Sequence, residues 1–299
     1  MNTLSITPQQ RKLSGATVGI PPRHIEFRVQ HSAPRYFYGD NATASLFFAM
    51  LSGFFPPGER FFMESVRHFR ELITNETLKA EVSGFMGQEA IHGREHDRLN
   101  ALFTMHGFDM SIPERTVKIG LSLFEKLPAS TQLAATTFME HFTASLAERL
   151  LTDEQFCSRA DAEMIKIWQW HALEELEHKS VSYDVYNVVG NSHLERLVVC
   201  GLSVAVLVPV LAVSWGWMVA KEGKLGNVGD NLKGLNMLFG KKGFVSGILP
   251  QMPLFGRKNF HPKKHDTTVL EALWRDKLFG ENGQLRTEFK NYEAVMAVA

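Results

Sequence analysis

Two Glu-x-x-His pairs are the residues of this sequence whose types and spacing are best suited to binding a metal. Glu89 and His92 form the first pair, and Glu175 and His178 form the second. On a helix, a spacing of three residues places both side chains on one face, about 60° apart. His171 falls in the same sector as the second pair, so imidazole and carboxylate groups would form one stripe along that helix.

Four-helix bundles that hold a pair of metal ions combine two such motifs with one Glu from each of the other two helices. Glu140 is the candidate in the third helical segment, and Glu59 or Glu64 is the candidate in the first. We prefer Glu59 because the separations within the two hairpins then resemble each other, with 30 residues from Glu59 to Glu89 and 35 from Glu140 to Glu175.

The elements that must position these residues are helical, because apolar residues recur at helical spacing between residues 43 and 194. Four long helices are expected, with short breaks within each pair and a longer connection at 107–129 between the pairs. This connectivity is typical of ferritin-like bundles. We therefore predict an all-α protein with a ferritin-like four-helix metal-binding bundle at residues 43–194. The expected boundary residues are Pro56 and Pro57 at the first start, Asn75, Gly107 and Ser130.

The residues on either side of this bundle have a different character. Residues 1–42 contain several prolines without sustained periodicity, which predicts an extended arm. Residues 197–220 contain no charged residue, and as a helix they would span about 36 Å, against about 30 Å for a hydrocarbon core. Between residues 221 and 264, Lys and Arg outnumber Asp and Glu by nine to two.

This combination predicts that the helical region 195–299 associates with an anionic membrane surface. Basic residues favour the cytoplasmic side, and Pro209 in the middle of the apolar run favours a re-entrant or in-plane segment over a simple span. A buried core helix and a single span stay open as alternatives. The start of the chain has no apolar h-region, so we expect a cytoplasmic protein.

The bulk composition excludes some classes of function. Lys plus Arg and Asp plus Glu both number 32 in 299 residues, so no overall basic excess suggests a nucleic-acid partner. The two cysteines lie far apart in sequence, which argues against a disulfide scaffold and against a cysteine-based zinc site.

A resemblance to the bacterial family labelled predicted metal-dependent hydrolases is carried by FFPPGERFFMESVR, QEAIHGREH, EHFTA and WHALEELEHKSV, and covers most of the chain from about residue 25. The site also resembles that of p-aminobenzoate N-oxygenases, di-iron enzymes in which the last helix adds a histidine four residues before its Glu. His171 matches that position. The likeness to the N-oxygenases is confined to these motifs, so their substrate is not carried over. The predicted metal ligands are Glu59, Glu89, His92, Glu140, His171, Glu175 and His178.

Other interpretations of these residues stay open. The carboxylates and imidazoles could form a structural ion-pair network without a metal. The segment HGREH at 92–96 matches the motif of inverted zinc peptidases, with Glu95 as the base, but this leaves the second pair unexplained. We expect His96 instead to orient a ligand from a second layer, and Glu174 to lie in the same layer beside His171.

Carboxylate-rich ligation with histidines favours two iron ions, with manganese or zinc as alternatives. Reduced irons would share electron transfer to dioxygen and oxidise a hydrophobic or lipid-like substrate, and such an oxygenase needs an electron donor. Hydrolysis by a metal-activated water is the alternative, and iron binding without catalysis is the third possibility. The sequence therefore predicts a metal-dependent enzyme.

Overall fold

A computed structural model describes residues 13–28 and 32–299. Within these residues the chain forms α-helices, short 3₁₀ segments and two isolated bridges but no β-strand, so the all-α prediction is confirmed. The predicted arm at 1–42 lies partly outside the described residues. The helices are α1 (Ala42–Arg67), α2 (Glu76–Met105), α3 (Ser111–Phe124), α4 (Ala129–Thr152), α5 (Glu154–Cys157), α6 (Met164–His178), α7 (Val181–Val189), α8 (His193–Lys221), α9 (Val228–Phe239), α10 (Thr268–Phe279) and α11 (Tyr292–Met296).

A bundle of α1, α2, α4 and α6 forms the centre of the protein, as the sequence predicts. The hairpin partners α1 and α2, and α4 and α6, pack most extensively. The first pair is antiparallel, because Ser52 hydrogen-bonds Asn100 across it at 2.7 Å while Glu59, further along α1, lies beside the earlier Gly93 of α2. Apolar side chains of these helices form the core.

The expected start of α1 at Pro56 is wrong. The helix begins at Ala42, where the side chain of Asn41 accepts a hydrogen bond from the amide of Ala44 at 2.8 Å, and both prolines lie inside it. Nearly all residues of the first half of α1 are buried, so their pattern lacks the polar face that marks a helix in a sequence.

Two further boundaries differ from expectation. The connection predicted at 107–129 contains the amphipathic helix α3, and the fourth predicted helix is divided into α6 and α7 at Lys179 and Ser180. Asn75 caps α2 by accepting a hydrogen bond from the amide of Leu78 at 2.9 Å, as its position in the sequence suggests.

The regions on either side of the bundle pack against it. Ile25 forms an antiparallel bridge with Phe289 near the C-terminus, and the indole of Trp274 in α10 donates to the carbonyl of Leu151 in α4 at 3.0 Å. Buried apolar residues of all three predicted parts belong to one core. The division into residues 1–42, 43–194 and 195–299 stays a prediction.

The apolar helix α8 lies along the outside of the bundle, against α1, α3 and α4. It continues through Pro209, so the segment does not form the two-armed re-entrant loop that the proline suggested. By length and composition it is the one described helix that could cross a membrane, which is weak support for membrane association.

Candidate metal centre

The four bundle helices bring all seven predicted ligands into the buried centre of the protein. Each is at most 5% exposed. Their donor atoms form three groups, each with all atoms within 4.8 Å of one another: Glu59 with His92 and His171, Glu89 with His92 and Glu175, and Glu89 with Glu140 and His178. We call these seven residues the carboxylate–histidine cluster.

Glu175 lies between the two ends of the cluster. Its Oε1 atom is 3.0 Å from Nε2 of His171, 3.6 Å from Nε2 of His178 and 3.9 Å from Nδ1 of His92. Glu89 also belongs to groups at both ends. The two carboxylates of the Glu-x-x-His motifs therefore occupy the middle, and their histidines face opposite ends.

The single carboxylates close the two ends. Glu59 Oε1 lies 3.7 Å from Nε2 of His171, and Glu140 Oε2 lies 3.6 Å from Nε2 of His178. Gly93 makes room for Glu59, because a Cβ atom at this position would stand 3.0 Å from Glu59 Oε2. Glycine at position 93 therefore allows the carboxylate of Glu59 to approach α2 closely.

Many polar atoms of the cluster have no hydrogen-bond partner although they are buried. Nε2 of His178 is 3.0 Å from Glu89 Oε1, yet the geometry does not make a hydrogen bond. Unpaired buried polar groups are costly, whereas ligand atoms that converge on a metal ion need no other partner. The atoms concerned are both carboxylate oxygens of Glu59, Glu89 and Glu140, Oε2 of Glu175, Nδ1 of His92 and Nε2 of His178.

The electrostatics also show that the buried carboxylates of the cluster repel one another, although the contacts of His178 with Glu175 and Glu89 raise the pKa of that imidazole. Burial raises the pKa of Glu59 and Glu140 well above the ordinary value, and neighbouring carboxylates raise it further. Burial also raises the pKa of Glu89, although His178 opposes this. Burial opposes the ionisation of Glu175 as well, but its contacts with His171 and His178 lower its pKa. Cations would relieve the repulsion among these carboxylates.

His92 is held by Glu174, whose Oε2 lies 3.0 Å from Nε2. If Nε2–H donates to this carboxylate, the lone pair of Nδ1 faces the cluster, as metal ligation requires. Glu174 also accepts from the indole of Trp170 at 2.9 Å. Burial raises the pKa of Glu174 to about 8 although Arg23 opposes this shift. Glu174 thus contacts His92, whereas the sequence suggested His171.

His171 is oriented by a hydrogen-bonded chain that starts in α1. Ser52 donates its hydroxyl proton to Asn100 at 2.7 Å, so it accepts from Nδ1 of His96 at 2.9 Å. Burial lowers the pKa of His96, which keeps this ring neutral, so its Nε2 accepts from Nδ1 of His171 at 2.7 Å. The chain therefore leaves Nε2 of His171 as the ring nitrogen that faces Glu59 and the centre.

His178 is oriented by Gln88, whose Oε1 lies 2.9 Å from Nδ1 of the ring. The amide of Gln88 donates to Glu177 at 2.9 Å, and Arg23 binds the same Glu177 through two hydrogen bonds of 2.7 Å. Arg23 also donates to Glu174 at 2.9 Å. One guanidinium group from the N-terminal arm therefore connects the supports of both His92 and His178.

Sequence reasoning missed Arg23, Gln88 and Glu177. Burial opposes ionisation of Glu177, but Arg23 and Arg275 lower its pKa, whereas Glu174 contacts only one guanidinium. A run of buried carboxylates in one helix was a signal that cations must come from elsewhere. No local pattern indicated which arginines would supply them.

The alternative assignments lie outside the cluster. Glu95, the base of the inverted zinc-peptidase motif, accepts from Arg94 at 2.9 Å and from Arg98 at 3.0 Å. Glu64, the alternative to Glu59, pairs with Arg67 at the surface. Neither carboxylate belongs to a group that could hold a metal among the described residues.

No curated protein and no solved structure matches this chain. A family model described as predicted metal-dependent hydrolase matches residues 21–266, a range that contains Arg23 and the whole cluster. The match covers more than half of the chain, and together with the buried carboxylate–histidine cluster it shows that the chain belongs to this family of predicted metal-dependent hydrolases.

Proposed function

We propose that the carboxylate–histidine cluster binds two metal ions and that the protein uses them to hydrolyse a hydrophobic substrate. The observation that carries this proposal is the set of buried carboxylate and imidazole atoms that face one another without hydrogen-bond partners. Iron, manganese and zinc all suit carboxylate and imidazole ligands. The description of the family favours hydrolysis over the other reaction classes.

We assign the ligands from the groups that the helices bring together. Glu59, His92 and His171 would hold one ion, and Glu140 and His178 would hold the other. Glu89 and Glu175 would lie between them, since Glu89 belongs to groups at both ends and Glu175 approaches histidines of both ends. Metal ions in such a site act as Lewis acids and lower the pKa of a bound water to about 7.

The residues around the cluster would prepare the ligands and exclude water. Glu174, His96 and Gln88 each hold one ring nitrogen of a ligand histidine, so the other nitrogen faces the centre. Phe55 covers the side of the cluster at which His171 lies, and the centroids of the two rings are 4.4 Å apart. Fixed orientation and exclusion of water both strengthen catalysis at a metal centre.

Oxidation of a hydrophobic substrate by dioxygen is the second candidate. It is supported by the apolar cavities that reach the cluster at Glu59 and at His171, because a site without polar binding groups suits an unfunctionalised carbon chain. This reaction needs an electron donor, which hydrolysis does not. The two candidates therefore differ in their requirement for a reductant.

We further propose that the protein works on an anionic membrane surface, to which α8 and α9 bind. The face of α8 that turns inward includes Ser203 and Ser214, which are 2% and 0% exposed, whereas Val198 and Val208 on the outward face are 62% and 56% exposed. Val199, Met218 and Val219 are buried on the inward face as well, so apolar residues lie on both faces, whereas a surface helix in water turns a polar face outward. Trp215 of α8 contacts α9, on which further apolar residues are exposed.

Charge supports an anionic partner on the cytoplasmic side. Lysines lie at and after the end of α8, within α9 and after its end, where they would meet lipid phosphates. A lysine near such a surface contributes roughly 1 kcal/mol to binding. The residues concerned are Lys221, Lys224, Lys233, Lys241 and Lys242.

Metal analysis and two activity assays test the proposed function. Protein purified without added metal, then loaded separately with Fe²⁺, Mn²⁺ or Zn²⁺, should bind two ions per chain and hydrolyse p-nitrophenyl esters without a reductant. Glu59→Gln should lose one ion, whereas Glu64→Gln on the same helix should bind both. Oxygen consumption that depends on a reductant, without ester hydrolysis, would favour the second candidate. Equal metal binding by both variants would refute the assignment of Glu59.

A further inference from the structure

Two apolar cavities reach the carboxylate–histidine cluster. The larger encloses about 750 Å³, its open mouth included, between α1, α3, α4 and α8, and its wall contains Glu59 and Val210. The smaller encloses about 470 Å³ between α1, α4 and α6, and its wall contains His171 and Glu175.

The two cavities are neighbours and share part of their walls. Leu51, Phe55, Phe142 and Thr143 line both of them. Apolar side chains therefore form a nearly unbroken lining from the edge of the cluster to the inner face of α8. Any ligand that fills this space lies with one end beside Glu59 and the rest of its length among hydrocarbon side chains.

The polar groups of the larger wall are few. Apart from the carboxylate of Glu59, the lining side chains offer only the hydroxyls of Thr143 and Ser203. Such a lining provides no charged partner for a second polar group of a ligand. It fits a molecule with one polar end and a long apolar tail, because burial of each CH₂ group contributes about 0.8 kcal/mol.

We propose that the larger cavity binds the acyl chain of a membrane amphiphile, with the polar end of the molecule at the cluster. The position of the polar end rests on the proposed metal centre, whereas binding of the acyl chain does not. Helix α8 joins the two environments, because Val206 and Val210 line the cavity while Val208 and Val213 are exposed on its outer side. The acyl chain would therefore move from the membrane into the cavity beside α8.

Helix α8 approaches the bundle closely at the cavity wall. A Cβ atom at Gly120 of α3 would stand 3.2 Å from Val210 and 3.4 Å from Val206. A large side chain at position 210 has no room towards α3, and we expect it to fill part of the cavity. Val213, at 58% exposure, offers a matched position on the outward face of the same helix.

The test measures binding of cis-parinaric acid, a fluorescent long-chain fatty acid, to the full chain in the absence of vesicles. Val210→Trp should weaken binding at least tenfold, and Val213→Trp should bind as the wild type does. Val206→Phe serves as a milder second variant and should also weaken binding. Thermal unfolding and metal content of each variant establish that it is folded and that its cluster is intact.

The outcomes separate this inference from the proposed function. Wild-type affinity in folded Val210→Trp and Val206→Phe would overturn it, and so would an equal loss in Val213→Trp, which would mean that the probe adheres to the outer surface. Protein freed of metal by a chelator should still bind the probe. Metal-loaded protein should bind the probe more tightly, because the carboxylate of the fatty acid would then meet the metal centre. Equal affinity of both forms would overturn the proposed orientation, and failure to bind metal would refute only the proposed centre.

Discussion

Arg23 donates a hydrogen bond of 2.9 Å to Glu174 although 151 positions separate the two residues in the chain. Both side chains are at most 4% exposed, and the same guanidinium binds Glu177. Because Glu174 contacts His92 and Glu177 contacts Gln88, the N-terminal arm helps to orient ligands of both ends of the cluster.

Arg23→Gln should destabilise the protein and weaken metal binding. Removing one partner of a buried ion pair costs about 3–5 kcal/mol, and Arg275 remains to neutralise only Glu177. The free energy of unfolding and the metal affinity are the quantities to measure. Arg28→Gln, an exposed arginine of the same segment, is the control and should change neither. An Arg23→Gln protein that matches Arg28→Gln in both would contradict this role.

Gly93→Ala should weaken metal binding without destabilising the metal-free fold. Alanine favours a helix interior by about 0.5–1 kcal/mol relative to glycine, but its Cβ atom would stand 3.0 Å from Glu59 Oε2 and displace that carboxylate. Metal titration followed by thermal unfolding distinguishes the two effects. Gly58→Ala, where a Cβ atom meets nothing within 4 Å, is the control. Unchanged metal affinity in Gly93→Ala would show that Glu59 tolerates the shift.

The hydrogen bonds that connect Ser52 through His96 to His171 predict that Ser52→Ala alters the metal site from a distance. Without the serine acceptor, His96 no longer has a fixed proton position, and His171 loses its orientation. Loss of such an outer partner lowers metal affinity 10–100-fold in known sites. Absorption spectra of the Co²⁺-loaded protein should shift as well. Ser65→Ala, a buried serine of the same helix, should leave the spectrum unchanged.

The stability of the metal-free protein should fall as pH rises from 6.5 to 8. Burial raises the pKa of Glu174 to about 8 and raises those of Glu59, Glu89 and Glu140. The folded state therefore binds more protons than the unfolded state in this window, so the free energy of unfolding decreases with pH. The histidines with lowered pKa values, His92 and His96, oppose this trend mainly below pH 6.5.

Glu174 alone accounts for about 2 kcal/mol over this interval, at 1.36 kcal/mol per pKa unit. Urea unfolding in the presence of a chelator measures the effect. Saturation with metal should reverse its sign, because metal binding releases protons and is favoured at higher pH. A metal-free protein whose stability is constant or rises between pH 6.5 and 8 would contradict the prediction.

Membrane binding should depend on the outward face of α8. Val208→Glu places a charge among exposed apolar residues and should reduce co-flotation with anionic vesicles at least tenfold. Leu72→Glu is a matched control, since Leu72 is 57% exposed on a different part of the surface. Vesicles of zwitterionic lipid should bind the wild type more weakly, because the lysines then lack a partner. Equal flotation of both variants would argue against this surface.

The sequence by itself was sufficient to predict the all-α fold and the candidate ligands. Helical periodicity and the spacing of Glu89 and His92, and of Glu175 and His178, depend on local geometry alone. A residue three positions from another on a helix shares its face in any tertiary context. These two pairs, together with the predicted Glu59, Glu140 and His171, are the residues whose donor atoms the structure brings together.

Only the tertiary structure decided which residues support and surround the cluster. Arg23, Ser52 and Gln88 reach the ligand histidines or their supports from other segments or helices, and no periodic pattern encodes such long-range pairing. The buried start of α1 and the direction in which α8 turns its apolar face are likewise set by packing. The physical reason is that the spacing of residues in the sequence determines which side chains are neighbours along a helix. The packing of the helices determines which side chains are neighbours across the core.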